Sequence, residues 1–221
     1  CGDKKSLYLP KTQQKLAEAV CDACENVVVV LMCGSSIDLG DKVTNHAKAI
    51  IHAWYPGALG GLAVANLLAG NFSPCGKLPV TIYRGDHDLP DFEDYSMLGR
   101  TYRYINGEAL FPFGYGLSYT SFAYENASAK ADGETVKISV DVANTGAMKG
   151  VEKVQVYASF TDSRTVTPHF QLCGIKAIEL DAGEKATAEL EIDAYWLKAV
   201  TEDGTRVTPD EKIALYIGGH Q

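Results

Sequence analysis

The chain has 221 residues, 46% of them hydrophobic and 22% charged, with 28 acidic against 20 basic side chains and a formal net charge of −8. This length leaves room for one or two domains with real cores. The acidic balance supplies no basic stripe to neutralise phosphates, which argues against a nucleic acid partner, and the longest strong apolar run, Val27 to Met32, is far short of the about eighteen residues of a membrane span.

The polar start Cys1-Gly2-Asp3-Lys4-Lys5 is followed by no apolar signal-peptide core, which tips an otherwise open localisation only slightly toward the cytoplasm over secretion. Residues Thr12 to Glu25 read as a helix with Thr12 as its N-cap, and Leu16, Ala19, Val20 and Ala23 share one face at helical spacing. Val27 to Met32 reads as a strand buried on both faces, as in a parallel sheet covered by helices. Ala49 to Trp54 is a second such strand, Gly60-Gly61 begins a helix running from about Leu62 to Leu68, and Leu78 to Tyr83 is a third strand. The alternation defines an α/β layer. From Arg84 to Gly116 the chain is irregular and rich in Asp, Pro, Gly and Tyr, a length typical of functional or docking loops.

Beyond Tyr119 the apolar period becomes two. Val136, Ile138, Val140 and Val142 alternate with polar residues, as do Ala186, Ala188, Leu190 and Ile192, and further short runs cover residues 154–159, 175–180 and 213–217. Turn signals such as Asp132-Gly133, Asn144-Thr145-Gly146, Ala182-Gly183 and Asp203-Gly204 separate them, which predicts a β-sandwich of about seven strands. No Gly/Ser- or Pro-rich linker lies between Leu117 and Ala127, so Tyr119, Phe122 and Tyr124 are expected to face a seam between the two domains.

Five motifs stand in order between Trp54 and Thr120: Trp54-Tyr55-Pro56-Gly57, Gly60-Gly61-Leu62-Ala63-Val64-Ala65, Gly76-Lys77-Leu78-Pro79-Val80-Thr81, the GRTYRY run Gly99 to Tyr104, and Phe111-Pro112-Phe113-Gly114-Tyr115-Gly116-Leu117-Ser118-Tyr119-Thr120. This series closely resembles the C-terminal region of glycoside hydrolase family 3. The GRTYRY run after Asp94-Tyr95-Ser96-Met97 most resembles the β-xylosidase branch. The runs Pro168-His169-Phe170-Gln171-Leu172, Leu180 to Glu184 and Tyr216-Ile217-Gly218-Gly219 resemble the fibronectin-type-III-like domain that follows in that family. The resemblance implies an α/β sandwich domain over residues 1–118, incomplete at its N-terminus, then a fibronectin-type-III-like β-sandwich over residues 119–221. It also implies a missing partner, the (β/α)8 barrel of the same enzyme, which at about 250 residues could not fit in this chain. By the same resemblance the aspartate nucleophile lies on that barrel. The acid/base glutamate lies upstream of the segment reading Gly2 to Pro10. The chain is therefore expected to hold no catalytic residue and to hydrolyse nothing alone, while the whole would be a retaining, exo-acting β-xylosidase trimming β-linked oligosaccharides. A β-glucosidase is the alternative within the family, and a non-catalytic carbohydrate-binding or scaffolding module the alternative outside it.

Retaining hydrolysis needs two carboxyl groups about 5–5.5 Å apart. Asp86, Asp88, Asp91, Glu93 and Asp94 crowd one loop, but a solvated acidic loop is the favoured reading there. Tyr95, Arg100, Tyr102, Arg103 and Tyr104 are the candidate substrate-binding or domain-docking residues, because tyrosines stack on sugar faces and arginines grip hydroxyls and carboxylates in bidentate fashion. Bracing between domains is favoured over direct sugar contact for this run. The six cysteines, with Cys21 and Cys24 spaced CxxC inside a helix, and the five histidines show no metal-ligand spacing, and His52 reads as a core histidine. Gly34-Ser35-Ser36 lacks a nucleophile elbow, and Gly114-Tyr115-Gly116 precedes no helix, so no metal and no cofactor is expected. Trp54 and Trp196, the only tryptophans, are too far apart in sequence to suggest an aromatic platform.

Overall fold

The computed structural model describes residues 4–87, 89–160, 167–209 and 212–219. They form two compact units, one made of Cys1–Asn71, Thr81–Ser96 and Gly107–Phe111, the other of Phe72–Val80, Met97–Asn106 and Pro112–Gln221.

In the first unit, helix α1 (Lys11–Ala23) starts directly after Pro10, whose φ of −53° already suits a helix and whose carbonyl accepts from Gln14 N at 3.0 Å. Thr12 therefore sits inside the first turn and caps nothing, a correction to the sequence reading. The face is corrected too. Cys21 is buried with Val27, Leu39 and Val43, and Leu9, Ala17, Val29, Leu31, Ile37 and Ile50 pack on them, whereas Leu16 is 66% exposed and Val20 39%. Apolar residues on two sides of α1 offered two stripes, and the narrower one, Ala17 and Cys21, meets the core. Strands β1 (Val28–Leu31) and β2 (Ala49–His52) pair in parallel from Val28 opposite Ala49 to Leu31 opposite His52. Val29 and Leu31 face the cluster while Val28 is exposed, so β1 is half-buried rather than covered on both sides. The connection between them holds a short helix, α2 (Gly40–His46), and α3 (Gly60–Leu68) follows β2.

The third expected strand does not join the parallel pair. Leu78 N donates to Tyr115 O at 2.8 Å and Leu78 O accepts from Gly114 N at 2.8 Å, while Ile82 makes a single antiparallel bridge with Phe111. Pro79 lies between these contacts and has no N–H to continue a ladder.

The second unit is the antiparallel sandwich. One sheet has the order β3-β4-β7, from Phe122–Asp132, Thr135–Asn144 and Lys185–Asp193; the other has the order β10-β5-β6, from Ile213–Gly218, Gly150–Phe160 and Gln171–Leu180. Strands β8 (Ala199–Val200) and β9 (Arg206–Val207) form a small hairpin. The period-two pattern sets the register: Ile138 and Ile192 fill one end of the core with Val156, Ala158 and Leu197, and Val140, Val142, Val154, Leu180 and Ala188 fill the other. Phe122 and Tyr124 pack on that second cluster and so contribute to the sandwich core. Their two-residue spacing on a strand turns both toward the same covered face.

Among the described residues no helix is long and apolar enough to cross a membrane, and Cys21, Cys24, Cys33, Cys75 and Cys173 are free thiols. Burial pushes the Cys173 thiol up to about 11, and its Sγ donates to Val156 O at 3.2 Å.

Candidate functional site: the GRTYRY segment and the sheet beneath it

The GRTYRY run enters a single helical turn, α4 (Thr101–Tyr104), through Gly99 at φ 71° and Thr101 at φ 55°. A β-branched residue in the left-handed region is strained. Arg100 N donates to Met97 O at 3.0 Å and Ile105 N to Thr101 O at 2.9 Å, so the turn is closed at both ends.

Tyr102 is the centre of the arrangement. Its ring stacks on Phe113 with centroids 4.2 Å apart and planes 13° from parallel, and it meets Tyr157 edge-on at 6.1 Å. Its hydroxyl accepts from Leu172 N at 3.1 Å. Tyr157 is buried on β5 and donates to Gln155 Oε1 at 2.6 Å, and Gln155 Nε2 donates to Gly114 O at 3.0 Å and to Gly219 O at 2.6 Å. Burial, then the neighbouring Tyr102, pushes the Tyr157 phenol above its ordinary value. Gly114 has φ 79°, and a Cβ there would collide with the Tyr157 hydroxyl and Gln155 Oε1. Only glycine fits where the Phe-Gly-Tyr-Gly segment crosses this sheet.

Arg103 extends the same network. Its Nη2 donates to Gln171 Oε1 at 3.1 Å, its carbonyl accepts from His169 N at 2.7 Å, and Gln171 Nε2 donates to Trp196 O at 3.0 Å. The Tyr104 ring lies 5.8 Å from the Arg103 guanidinium carbon, near the outer limit of a cation–π contact. Tyr102 and Arg103 thus meet strands β5 and β6, with Tyr104 beside Arg103. Arg100 precedes the helical turn in the same unit. Tyr95 belongs to the other unit and is 90% exposed, as Phe92 is 82% exposed.

The acidic loop is organised by its own backbone. Asp91 Oδ1 accepts from Glu93 N at 2.9 Å and Asp94 Oδ1 from Ser96 N at 2.8 Å. Asp86 accepts from Leu7 N at 2.6 Å, and that bond, then one from Ser6, holds its carboxyl below the usual range. Asp88 lies outside the described residues. Asp91 and Asp94 thus cap turns of their own loop, while Asp86 ties it to the backbone at Leu7.

Two polar groupings escaped the sequence reading. In the sandwich unit, Glu152 is buried on β5, accepts from Tyr124 OH at 2.7 Å, and lies 3.8 Å from Lys77 Nζ, which donates to Gly116 O at 2.9 Å. Burial, with the Glu152 hydrogen bond, raises the Tyr124 phenol. A glutamate inside an apolar strand was the available signal. In the α/β unit, at the carboxyl ends of β1 and β2, His52 Nε2 lies 3.3 Å from Ser35 O and 3.9 Å from Cys33 Sγ, and the ring packs at 3.9 Å on Trp54, itself at φ 54°. Burial lowers the His52 pKa, Lys4 lowers it further, and the Ser35 carbonyl opposes both.

The chain thus joins a parallel strand pair among helices to an antiparallel sandwich that carries an aromatic and arginine segment on its strands. The family model for the Glycosyl hydrolase family 3 C-terminal domain matches residues 1–119, and that for the Fibronectin type III-like domain matches residues 152–221. The chain belongs to glycoside hydrolase family 3, of which it carries the C-terminal domain and the fibronectin-like domain. It is 45% identical over 193 residues to a xylan 1,4-beta-xylosidase of Xylanibacter ruminicola, covering 86% of this chain and 22% of the relative. It is 35% identical over 205 residues to a beta-glucosidase of Kluyveromyces marxianus, covering 86% of this chain and 24% of the relative. Among solved structures it superposes with a TM-score of 0.89 and 31% identity on a beta-glucosidase from Streptomyces venezuelae in complex with D-glucose, covering 99% of this chain and 30% of that one. The chain thus spans under a quarter of the length of these two relatives.

Proposed function

We propose that this chain is the C-terminal part of a retaining, exo-acting β-glycosidase that removes terminal β-xylosyl residues from xylo-oligosaccharides, and that it is inactive alone. The observation that carries the xylosidase reading is the 45% identity to the xylan 1,4-beta-xylosidase. The turn-capping roles of Asp91 and Asp94, and the bond Asp86 accepts from Leu7 N, support the view that the nucleophile and the acid/base group come from outside residues 1–221, on a (β/α)8 barrel and an adjoining loop. In this reading GRTYRY holds the sandwich in a fixed geometry behind the sugar pocket. β-Glucosidase activity is the second reading, favoured by the glucosidase from K. marxianus and by the S. venezuelae structure with glucose. The two substrates differ by the C6 hydroxymethyl group, which a pocket discriminates by steric fit and by a few hydrogen bonds. The test is release of nitrophenol from aryl β-xyloside and aryl β-glucoside by the barrel-containing enzyme and by the 221-residue chain. Faster turnover of the xyloside by the former and none by the latter is expected. Hydrolysis by the chain alone, lost on a point change in it, would overturn the proposal.

A further inference from the structure

Trp196 lacks a second tryptophan beside it, but the fold gives it another aromatic partner. Tyr195 and Trp196 occupy a 3-10 turn (Ala194–Leu197) after β7, and their rings stand at 89° with centroids 5.4 Å apart. The Arg206 guanidinium from β9 lies 4.1 Å over the Tyr195 ring. The turn is fixed at several points: Asp193 Oδ1 accepts from Tyr195 N at 2.7 Å, Leu197 is buried in the core, and Trp196 O accepts from Gln171 Nε2 at 3.0 Å. Yet Tyr195 is 44% and Trp196 48% exposed. A rigid backbone that displays its two largest aromatics holds a preformed surface, since ordering costs nothing further when a ligand arrives.

We propose that this corner is a polysaccharide-binding site that takes a pyranose ring of a β-linked chain. Two perpendicular rings make a floor and a wall. A β-linked xylosyl or glucosyl unit has equatorial hydroxyls, which leaves a flat C–H face to stack on indole while its rim meets the Tyr195 hydroxyl. Arg206, held over Tyr195 by the cation–π contact, presents a fork of N–H donors to the same hydroxyls. A site of this kind keeps a polymeric substrate near an exo-acting enzyme by raising its local concentration. The choice of a β-linked ligand rests on the glycosidase reading above, but the test reads binding only, so it fails or succeeds independently of turnover.

The experiment is affinity electrophoresis of the 221-residue chain through gels containing xylan, mixed-linkage β-glucan or no polysaccharide, with Trp196→Ala, Tyr195→Ala and Arg206→Ala beside it. Retardation in xylan or β-glucan is expected, weakened by ~10-fold in apparent Kd for Trp196→Ala and less for Arg206→Ala. Which gel retards the chain identifies the sugar. Equal mobility in all gels, or equal retardation of all variants, overturns the proposal. So does sedimentation showing that the chain self-associates through this corner and that Trp196→Ala abolishes the dimer without changing retardation. The thermal midpoint of each variant is read in parallel, and the two milder substitutions carry the test should Trp196→Ala unfold.

Discussion

The Tyr102 ring lies nearly flat on Phe113, 13° from parallel at 4.2 Å, while its hydroxyl reaches the backbone N–H of Leu172 on β6. One side chain thus ties the GRTYRY segment, the Phe-Gly-Tyr-Gly segment and the sandwich into one packed unit. Removing the hydroxyl alone leaves Leu172 N–H without its acceptor, so Tyr102→Phe is expected to cost about 1 kcal/mol in urea unfolding. Tyr102→Ala, which also removes the stacked ring, is expected to cost roughly 2 kcal/mol more. Equal stabilities for the two variants would show that the stack contributes nothing.

The Lys77 and Glu152 pair is enclosed, with side chains 11% and 5% exposed. Deleting one member strands the other, so Glu152→Ala should destabilise by about 3–5 kcal/mol. The double variant Lys77→Met, Glu152→Leu should lose clearly less than the sum of its single changes, because no charge is left buried. A double-mutant cycle by chemical denaturation measures the difference, and strict additivity would mean that the pair does not interact.

The sandwich was legible because period-two alternation persists over strands of nine to eleven residues, from Val136 to Val142 and Ala186 to Ile192, with glycine turns between them. The α/β half was less so. Its strands are four residues long, α2 is too short to show an apolar stripe, and Pro79 forbids the ladder that the apolar run from Leu78 to Tyr83 suggested. The candidate site was visible as a composition, tyrosines and arginines in one loop, but its partners Phe113, Tyr157, Gln171 and Leu172 lie up to 70 residues away. Only tertiary pairing reveals that Tyr102 and Arg103 face the sandwich, and that Tyr95 is grouped elsewhere.

Stability should depend on pH through His52. Its pKa in the folded chain lies below the ordinary 6.5, chiefly through burial, so the unfolded chain takes up the proton first. The contribution is fully present well above pH 6.5, is lost as pH falls through that value, and levels off below the folded-state pKa. His52→Gln removes this term, so its melting temperature should fall less than that of the parent between about pH 7.5 and 5. Parallel curves for the two proteins would show that His52 titrates normally.

The loop ahead of GRTYRY should become ordered against the barrel in the complete enzyme. Phe92 and Tyr95 are 82% and 90% exposed, on a segment whose turns carry carboxylate caps at Glu93 N and Ser96 N. Large aromatics this exposed on a loop gain most from a partner surface. Residues 101–105 are closed into a helical turn on the sandwich, so their exchange should already be slow. Hydrogen exchange on this chain with and without the separately expressed barrel domain therefore predicts a split response. Protection should rise across residues 89–96 by ~10-fold or more and change little across 101–105. Unchanged exchange at 89–96 when the barrel is bound would remove this loop from the docking surface.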